Sequence, residues 1–269
     1  MSAYPRQIYH TYHRKRPQRT AVELPSHWWL VLSAILFVAA LAFLTLFANT
    51  WLSYKHSDSY YRELGTTALP LGLQQQTTGI AQTSSVDFAA LQAINPDAAA
   101  WLVVPGLDIS LPVVQAQDDQ TYLHKGFSGA NDPNGCLFFS APQDGQTGSL
   151  YRVIYGHNIH TGAMFGRLTD YKSEDFYRQN PGFTLCTPEG DKLCRIFSCH
   201  EAVDGEDLYE IARQPGDDYD TFLQTLKAAS LYDTGVPVPS GSQVITLSTC
   251  SSSYGGGTDR FVVHAIVEP

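Results

Sequence analysis

A chain of 269 residues has room for one mid-sized domain with appendages, not for two full domains beside a membrane segment. With 43% hydrophobic and 12% aromatic residues it can bury a core, which excludes global disorder. Its formal charge of -9 excludes nucleic acid as a partner, because a polyanionic ligand needs a basic footprint.

The charge is unevenly spread. Ahead of Trp28 stand Arg6, Arg14, Lys15, Arg16 and Arg19 against the single acid Glu23. Residues 28–51 then carry no charge at all. As a helix at about 1.5 Å per residue this run spans roughly 36 Å, enough to cross a hydrocarbon core of about 30 Å with some tilt. Trp28, Trp29 and Trp51 stand at its ends, where indoles favour the membrane interface. A cleaved signal peptide would have a shorter apolar region ending in a small-x-small site, and this one ends in Ala48-Asn-Thr-Trp51. The reading is therefore a basic cytoplasmic N-terminus over residues 1–27 and a single-pass signal anchor over 28–51. The basic flank keeps the N-terminus in the cytoplasm and puts the rest outside the cell.

Residues 52–83 are polar and read as a stalk or linker, helical at first through Tyr60-Tyr-Arg-Glu63. The expected catalytic domain covers 84–269. Ser84-Ser-Val-Asp87 offers N-caps for a short helix from Phe88 to Ile94, which stops at Asn95-Pro96. From Trp101 the pattern turns to strands. Residues 101–106, 109–114, 136–139, 150–155, 182–187, 193–199, 243–249 and 260–267 are short β-rich runs. Pro188-Glu-Gly-Asp191 makes a hairpin of the fifth and sixth. Helical stretches are expected over 164–180 and 218–231, the second with Phe222, Leu223, Leu226 and Ala229 at helical period. Many short strands with few helices favour a closed barrel, since closure removes exposed edges.

Five cysteines, Cys136, Cys186, Cys194, Cys199 and Cys250, follow the apolar run. An odd number leaves at least one thiol without an intrachain partner, and a free thiol outside the cell is often kept for its chemistry. Cys186 and Cys194 flank the hairpin and could face each other if its turn holds three residues. Cys250 ends the strand Val244-Ile-Thr-Leu-Ser-Thr-Cys250, and Arg260 opens the next strand ten residues on. If those strands pair, thiol and guanidinium face each other, and a guanidinium can lower a thiol pKa and hold an oxyanion. His157, in Tyr155-Gly-His-Asn158, follows another strand, with Gly156 giving the backbone freedom to turn. Nucleophile, proton shuttle and electrostatic clamp would then stand at three strand ends. His157-Asn-Ile-His160 lacks the accompanying ligands of a metal site, so neither a metal nor a cofactor is expected.

The motif wording adds to this. Thr246-Leu-Ser-Thr-Cys250, Ile154-Tyr-Gly-His-Asn158 and Arg260-Phe-Val-Val-His-Ala265 resemble the three signature segments of sortases, in the same chain order. Ile94-Asn-Pro-Asp97, Leu111-Pro-Val-Val-Gln115, Gly162-Ala-Met-Phe-Gly166, Thr187-Pro-Glu-Gly190 and the helix-bearing insert before the cysteine strand resemble class B in particular. The resemblance covers about residues 86–267. It implies an eight-stranded barrel of mainly β class with short helices. It also implies a cysteine transpeptidase of Gram-positive cells, which cleaves a surface protein's C-terminal sorting signal after Thr. The new carboxyl is then joined to a cell-wall (peptidoglycan) or pilin amine. By position, Cys250 would be the nucleophile, His157 the general acid and base, and Arg260 the oxyanion and substrate clamp. Ser248, Leu123, Thr249 and Asn158 would contact the substrate. Ser251 opens a Ser/Gly-rich loop where many class B enzymes carry an acidic or bulkier residue after the cysteine.

Two other readings compete. A cysteine peptidase would share the thiolate and use water as acceptor, but papain-like enzymes place Cys before His, the reverse of the order here. A non-catalytic, membrane-tethered assembly module would leave Cys250 unreactive.

Overall fold

The structure, a computed structural model, describes residues 26–68, 86–141, 149–203, 214–250 and 259–269. The chain divides into two units, one ending at Asn49 and one running from Thr50 to Pro269.

Helix α1 (Ser26–Ala68) begins in the first unit. Between Trp28 and Leu52 its large apolar side chains are exposed on every side, Leu30 at 72% and Phe43 at 69%. Among the described residues of the unit nothing buries this surface. It is the one helix among the described residues long and apolar enough to cross a membrane.

The second unit begins with the end of α1. The segment read as a stalk is helical through Ala68, and residues 69–85 lie outside the described residues. Ser57, Tyr61, Leu64 and Ala68 are buried, a spacing that lines one helix face. That stripe escapes a polarity reading because Ser57 and Tyr61 carry hydroxyls.

Eight strands close into a barrel: β1 (Ala98–Val104), β2 (Ile109–Gln115), β3 (Leu137–Phe139), β4 (Tyr151–Tyr155), β5 (Gly182–Thr187), β6 (Gly190–Val203), β7 (Val244–Cys250) and β8 (Asp259–Val267). Around the wall the order is β1-β2-β3-β4-β7-β8-β6-β5. The pairs β2–β3 and β4–β7 are parallel and the others antiparallel. Helix α2 (Phe88–Ile94) starts at Asp87, whose carboxylate accepts from the Ala90 N–H at 2.9 Å.

Strand alternation creates two cores. Ile245, Leu247, Phe261, Val263 and Ala265 belong to the main core. Their neighbours Val244 and Val262 join Tyr151, Val153 and Phe197 in a second core. Tyr219, Leu223 and Leu226 of α4 (Asp217–Ala228) cover that second core. The central strands are therefore buried on both faces.

One open alternative closes and one local expectation changes. The hairpin turn holds two residues, Pro188 and Glu189, because Thr187 pairs with Gly190. That register sets Cys186 opposite Asp191 and Cys194 opposite Phe183, so the two cysteines do not face each other and form no disulfide. The helix expected over 164–180 is two pieces, a 3-10 turn (Leu168–Lys172) and α3 (Glu174–Gln179). Ser173 separates them: its backbone is extended and its hydroxyl accepts from the Phe176 N–H, a cap that competes with helix continuation.

His264 on β8 is fully buried. Its Nδ1 lies 2.8 Å from the Thr246 hydroxyl, its ring stacks on His200 at 5.0 Å, and the rings of Phe197 and Tyr151 close the site. Nε2 has no hydrogen-bond partner. Burial, reinforced by His200, holds the imidazole well below its ordinary value and therefore neutral. A histidine whose pKa is depressed on folding takes up its proton only on unfolding. Its contribution is thus complete above about pH 6.5 and declines as pH falls below that value. Urea midpoints should fall between pH 6.5 and 5, with a slope of up to about 1.4 kcal/mol per pH unit from this group. His264→Gln, which cannot be protonated, should flatten that slope.

Candidate active site

The ladder between β4 and β7 runs without a slip from Tyr151↔Val244 to Tyr155↔Ser248. It continues past β4 through Gly156, whose N–H donates to the Ser248 carbonyl at 3.2 Å. The Thr249 hydroxyl donates to the Gly156 carbonyl at 2.7 Å. Carried one residue further, the same register sets His157 level with Cys250. On the other side of β7, Cys250 pairs with Arg260 of β8. The β7–β8 pairing thus sets Cys250 beside Arg260 at one end of the barrel, and the β4–β7 register, extended past Tyr155, leads position 157 to the same end.

His157 is held at backbone and ring. Its carbonyl accepts from the Phe165 N–H at 3.0 Å, and Asn158 forms a β-bridge with Met164. The compact loop between them is closed by Gly162 N–H to Ile159 carbonyl and Gly166 N–H to Ala163 carbonyl, each 2.9 Å. The half-buried His157 ring points Nε2 at the Leu123 carbonyl, 2.7 Å away. A carbonyl oxygen only accepts, so Nε2 carries a proton. The His124 ring stacks on His157, with centroids 6.0 Å apart and planes 20° from parallel.

The predicted residues do not sit alike. Arg260 is half-buried, opposite Cys250 on one side and Ala202 of β6 on the other. Leu123 and Asn158 are half-buried as well, Leu123 in a 3-10 turn (Thr121–Leu123). Ser248 and Thr249 are 1% and 2% exposed, closed within the packing of β7. Sequence reasoning missed two features, the stacking of His124 and the use of Leu123 through its carbonyl. The motif Thr121-Tyr-Leu-His124 contains both residues, but no side-chain pattern advertises a backbone carbonyl.

Gly156 is needed for space. Its φ is not in the left-handed region; instead a Cβ there would lie 2.5 Å from Leu137 Cδ2 and 2.6 Å from Phe165 Cδ2.

The remaining cysteines are chemically quiet. Cys136, Cys186, Cys194 and Cys199 are buried and are not in disulfides. Burial pushes Cys136, Cys194 and Cys199 each up to about 12, so they stay protonated and unreactive at neutral pH.

A family model described as the Sortase domain matches residues 102–268, well over half of the chain. The chain belongs to the sortase family. Sortase B of Listeria monocytogenes is 28% identical over 190 residues, covering 70% of this chain and 76% of that protein. Sortase B of Staphylococcus aureus is 26% identical over 178 residues, covering 66% and 73%. The crystal structure of sortase B from Bacillus anthracis superposes with a TM-score of 0.66 at 25% identity, covering 81% of this chain and 98% of that one. The likeness is thus to class B sortases, and the enzyme is a cysteine transpeptidase.

Overpacking at a closed position costs about 1–3 kcal/mol. Gly156→Ala in this sortase should lower its melting temperature by several degrees and slow turnover more than tenfold, because the displaced residue adjoins His157. Calorimetry beside single-turnover kinetics would check both effects.

Proposed function

We propose that this sortase cleaves the C-terminal sorting signal of surface proteins after a Thr and passes the carboxyl to a cell-wall or pilin amine. The observation that supports the reading is the pairing of Cys250 with Arg260 between β7 and β8, with His157 two residues past the end of β4 in the register that leads to Cys250. Residues 28–51 are read as the membrane anchor, with the basic N-terminus cytoplasmic and the barrel outside the cell.

In this mechanism the Cys250 thiolate attacks the carbonyl carbon of the substrate Thr, and the tetrahedral oxyanion is held by the Arg260 guanidinium. Collapse breaks the peptide bond, and His157 gives a proton to the leaving amine. Nε2 is already engaged with Leu123, so Nδ1 is the nitrogen that exchanges this proton. An incoming amine then attacks the thioester, His157 takes its proton, and Cys250 leaves as the thiolate. Leu123 and Asn158, both half-buried, have surface to offer a peptide. Ser248 and Thr249 act through the strand that carries Cys250.

A library of sorting-signal peptides, offered with and without oligoglycine, diaminopimelate or lysine, tests the reading. An amide-linked product that requires the amine is expected, and hydrolysis indifferent to amine would sink it. Cys250→Ala should form no acyl-enzyme by intact mass.

Removal of one preorganised oxyanion donor typically costs about 10²–10³ in turnover. Arg260→Lys should fall in that range, because an ammonium cannot reproduce the planar fork of a guanidinium; wild-type turnover in that variant would remove the clamp from the mechanism.

Attack needs a thiolate while departure of the amine needs a charged imidazole, so turnover should follow a bell-shaped pH profile. A rate that rises steadily to pH 10 would contradict the shared roles.

A further inference from the structure

The oxygen that receives His157 Nε2–H belongs to a loop fastened by the end of α1. Between β2 and β3 the chain runs through the turn at Thr121–Leu123 to Gly135 and Cys136. The Tyr61 hydroxyl donates to the Gly135 carbonyl at 2.8 Å and accepts from the Phe127 N–H at 3.0 Å. One turn earlier, Ser57 accepts from Asn134 Nδ2 at 2.9 Å. These buried bonds tie residues 127, 134 and 135 to one helix face.

Gly135 passes this constraint on. It has a φ of +63 and lies against the start of the same loop, where a Cβ would come 2.6 Å from the Tyr122 carbonyl and 2.7 Å from the Leu123 carbonyl. The Cys136 N–H donates to the Tyr122 carbonyl at 3.1 Å, closing the loop's two ends on each other. The far side is pinned by Asn95, whose Nδ2 donates to the Phe127 carbonyl and to the Tyr122 hydroxyl. The Leu123 carbonyl therefore has little room to move, and the His157 ring is bonded to it.

We propose that Tyr61 is a positioning residue for catalysis, fixing the His157 ring and its proton-bearing nitrogen through Gly135 and the Leu123 carbonyl. The Tyr61 hydroxyl, on the helix end that follows the apolar run, then acts on catalysis through the loop it fastens. The inference rests on the reading of His157 as general acid and base. A base oriented by a third group is the recurring arrangement in nucleophilic enzymes, and here a backbone carbonyl fills that place. A neutral acceptor suits a histidine that must both give and take a proton, because it fixes the ring without adding a charge.

The test uses the full chain in lipid nanodiscs, histidine-labelled with 15N, and a peptide the wild-type enzyme selects from the library. Tyr61→Phe keeps the ring and removes both hydroxyl bonds. Its kcat should fall about tenfold with KM within twofold, and the His157 imidazole signals should change from one Nε2-protonated form to a mixture. Gly135→Ala, which would press on the Leu123 carbonyl, should give the same signature. Leu64→Ala weakens the docking of the helix without touching these bonds. It should lower the melting temperature and leave kcat and the imidazole signals unchanged. Wild-type kcat and signals in Tyr61→Phe would overturn the proposal, as would a Leu64→Ala variant that alters the imidazole signals equally. Turnover that survives in His157→Ala would instead overturn the function assigned to His157, and would be read separately from the tautomer signals.

Discussion

The parallel ladder between β4 and β7 joins strands 93 positions apart in the chain, and the placement of the candidate catalytic residues follows from it. A slip of one residue would exchange the faces of β7 and carry Cys250 away from the level of His157. The register is held from both sides of the sheet. Ile154 and Leu247 pack in the main core, and Val153 and Val244 in the core beneath α4, so a slip would expose apolar side chains on two faces at once. At the active end the Thr249–Gly156 bond and the close fit of Gly156 against Leu137 and Phe165 lock the last step.

The same burial that fixes the register also sorts the cysteines. Four lie within packed strands or beside them, and a thiol surrounded by apolar atoms stays protonated because the thiolate would lose its hydration. Cys250 closes β7 opposite an arginine that opens β8. A cysteine inside a packed strand contributes volume and stays protonated, whereas position 250 is the last of its strand.

Much of this was legible along the chain. Eight strands were visible because strand propensity and turn residues are local signals, and α2 announced itself through Asp87. The candidate trio stood out in the sequence because each member lies beside a strand end in a distinctive short motif. The misreadings share a cause, the competition between a local signal and a hydrogen bond or packing contact from elsewhere. Ser173 divided a helix that its neighbours would have continued. Gly156 suggested a backbone freedom, whereas the crowding of Leu137 and Phe165 is what excludes a side chain there. Ser57 and Tyr61 looked like stalk residues until their hydroxyls found partners 77 and 74 positions away.

The sequence by itself determined the apolar run of membrane length, the strands, the helix caps and the residues able to do the chemistry. All of these depend on side chains and backbone preferences within a few neighbouring positions. Only the tertiary structure decided that positions 250 and 260 stand abreast, that the Leu123 carbonyl accepts a hydrogen bond from His157 Nε2, and that α1 reaches the loop carrying that carbonyl. The physical reason is that register between strands distant in the chain is set by the summed burial of two cores. A backbone carbonyl, being common to every residue, leaves no mark in the sequence until the fold places a donor against it.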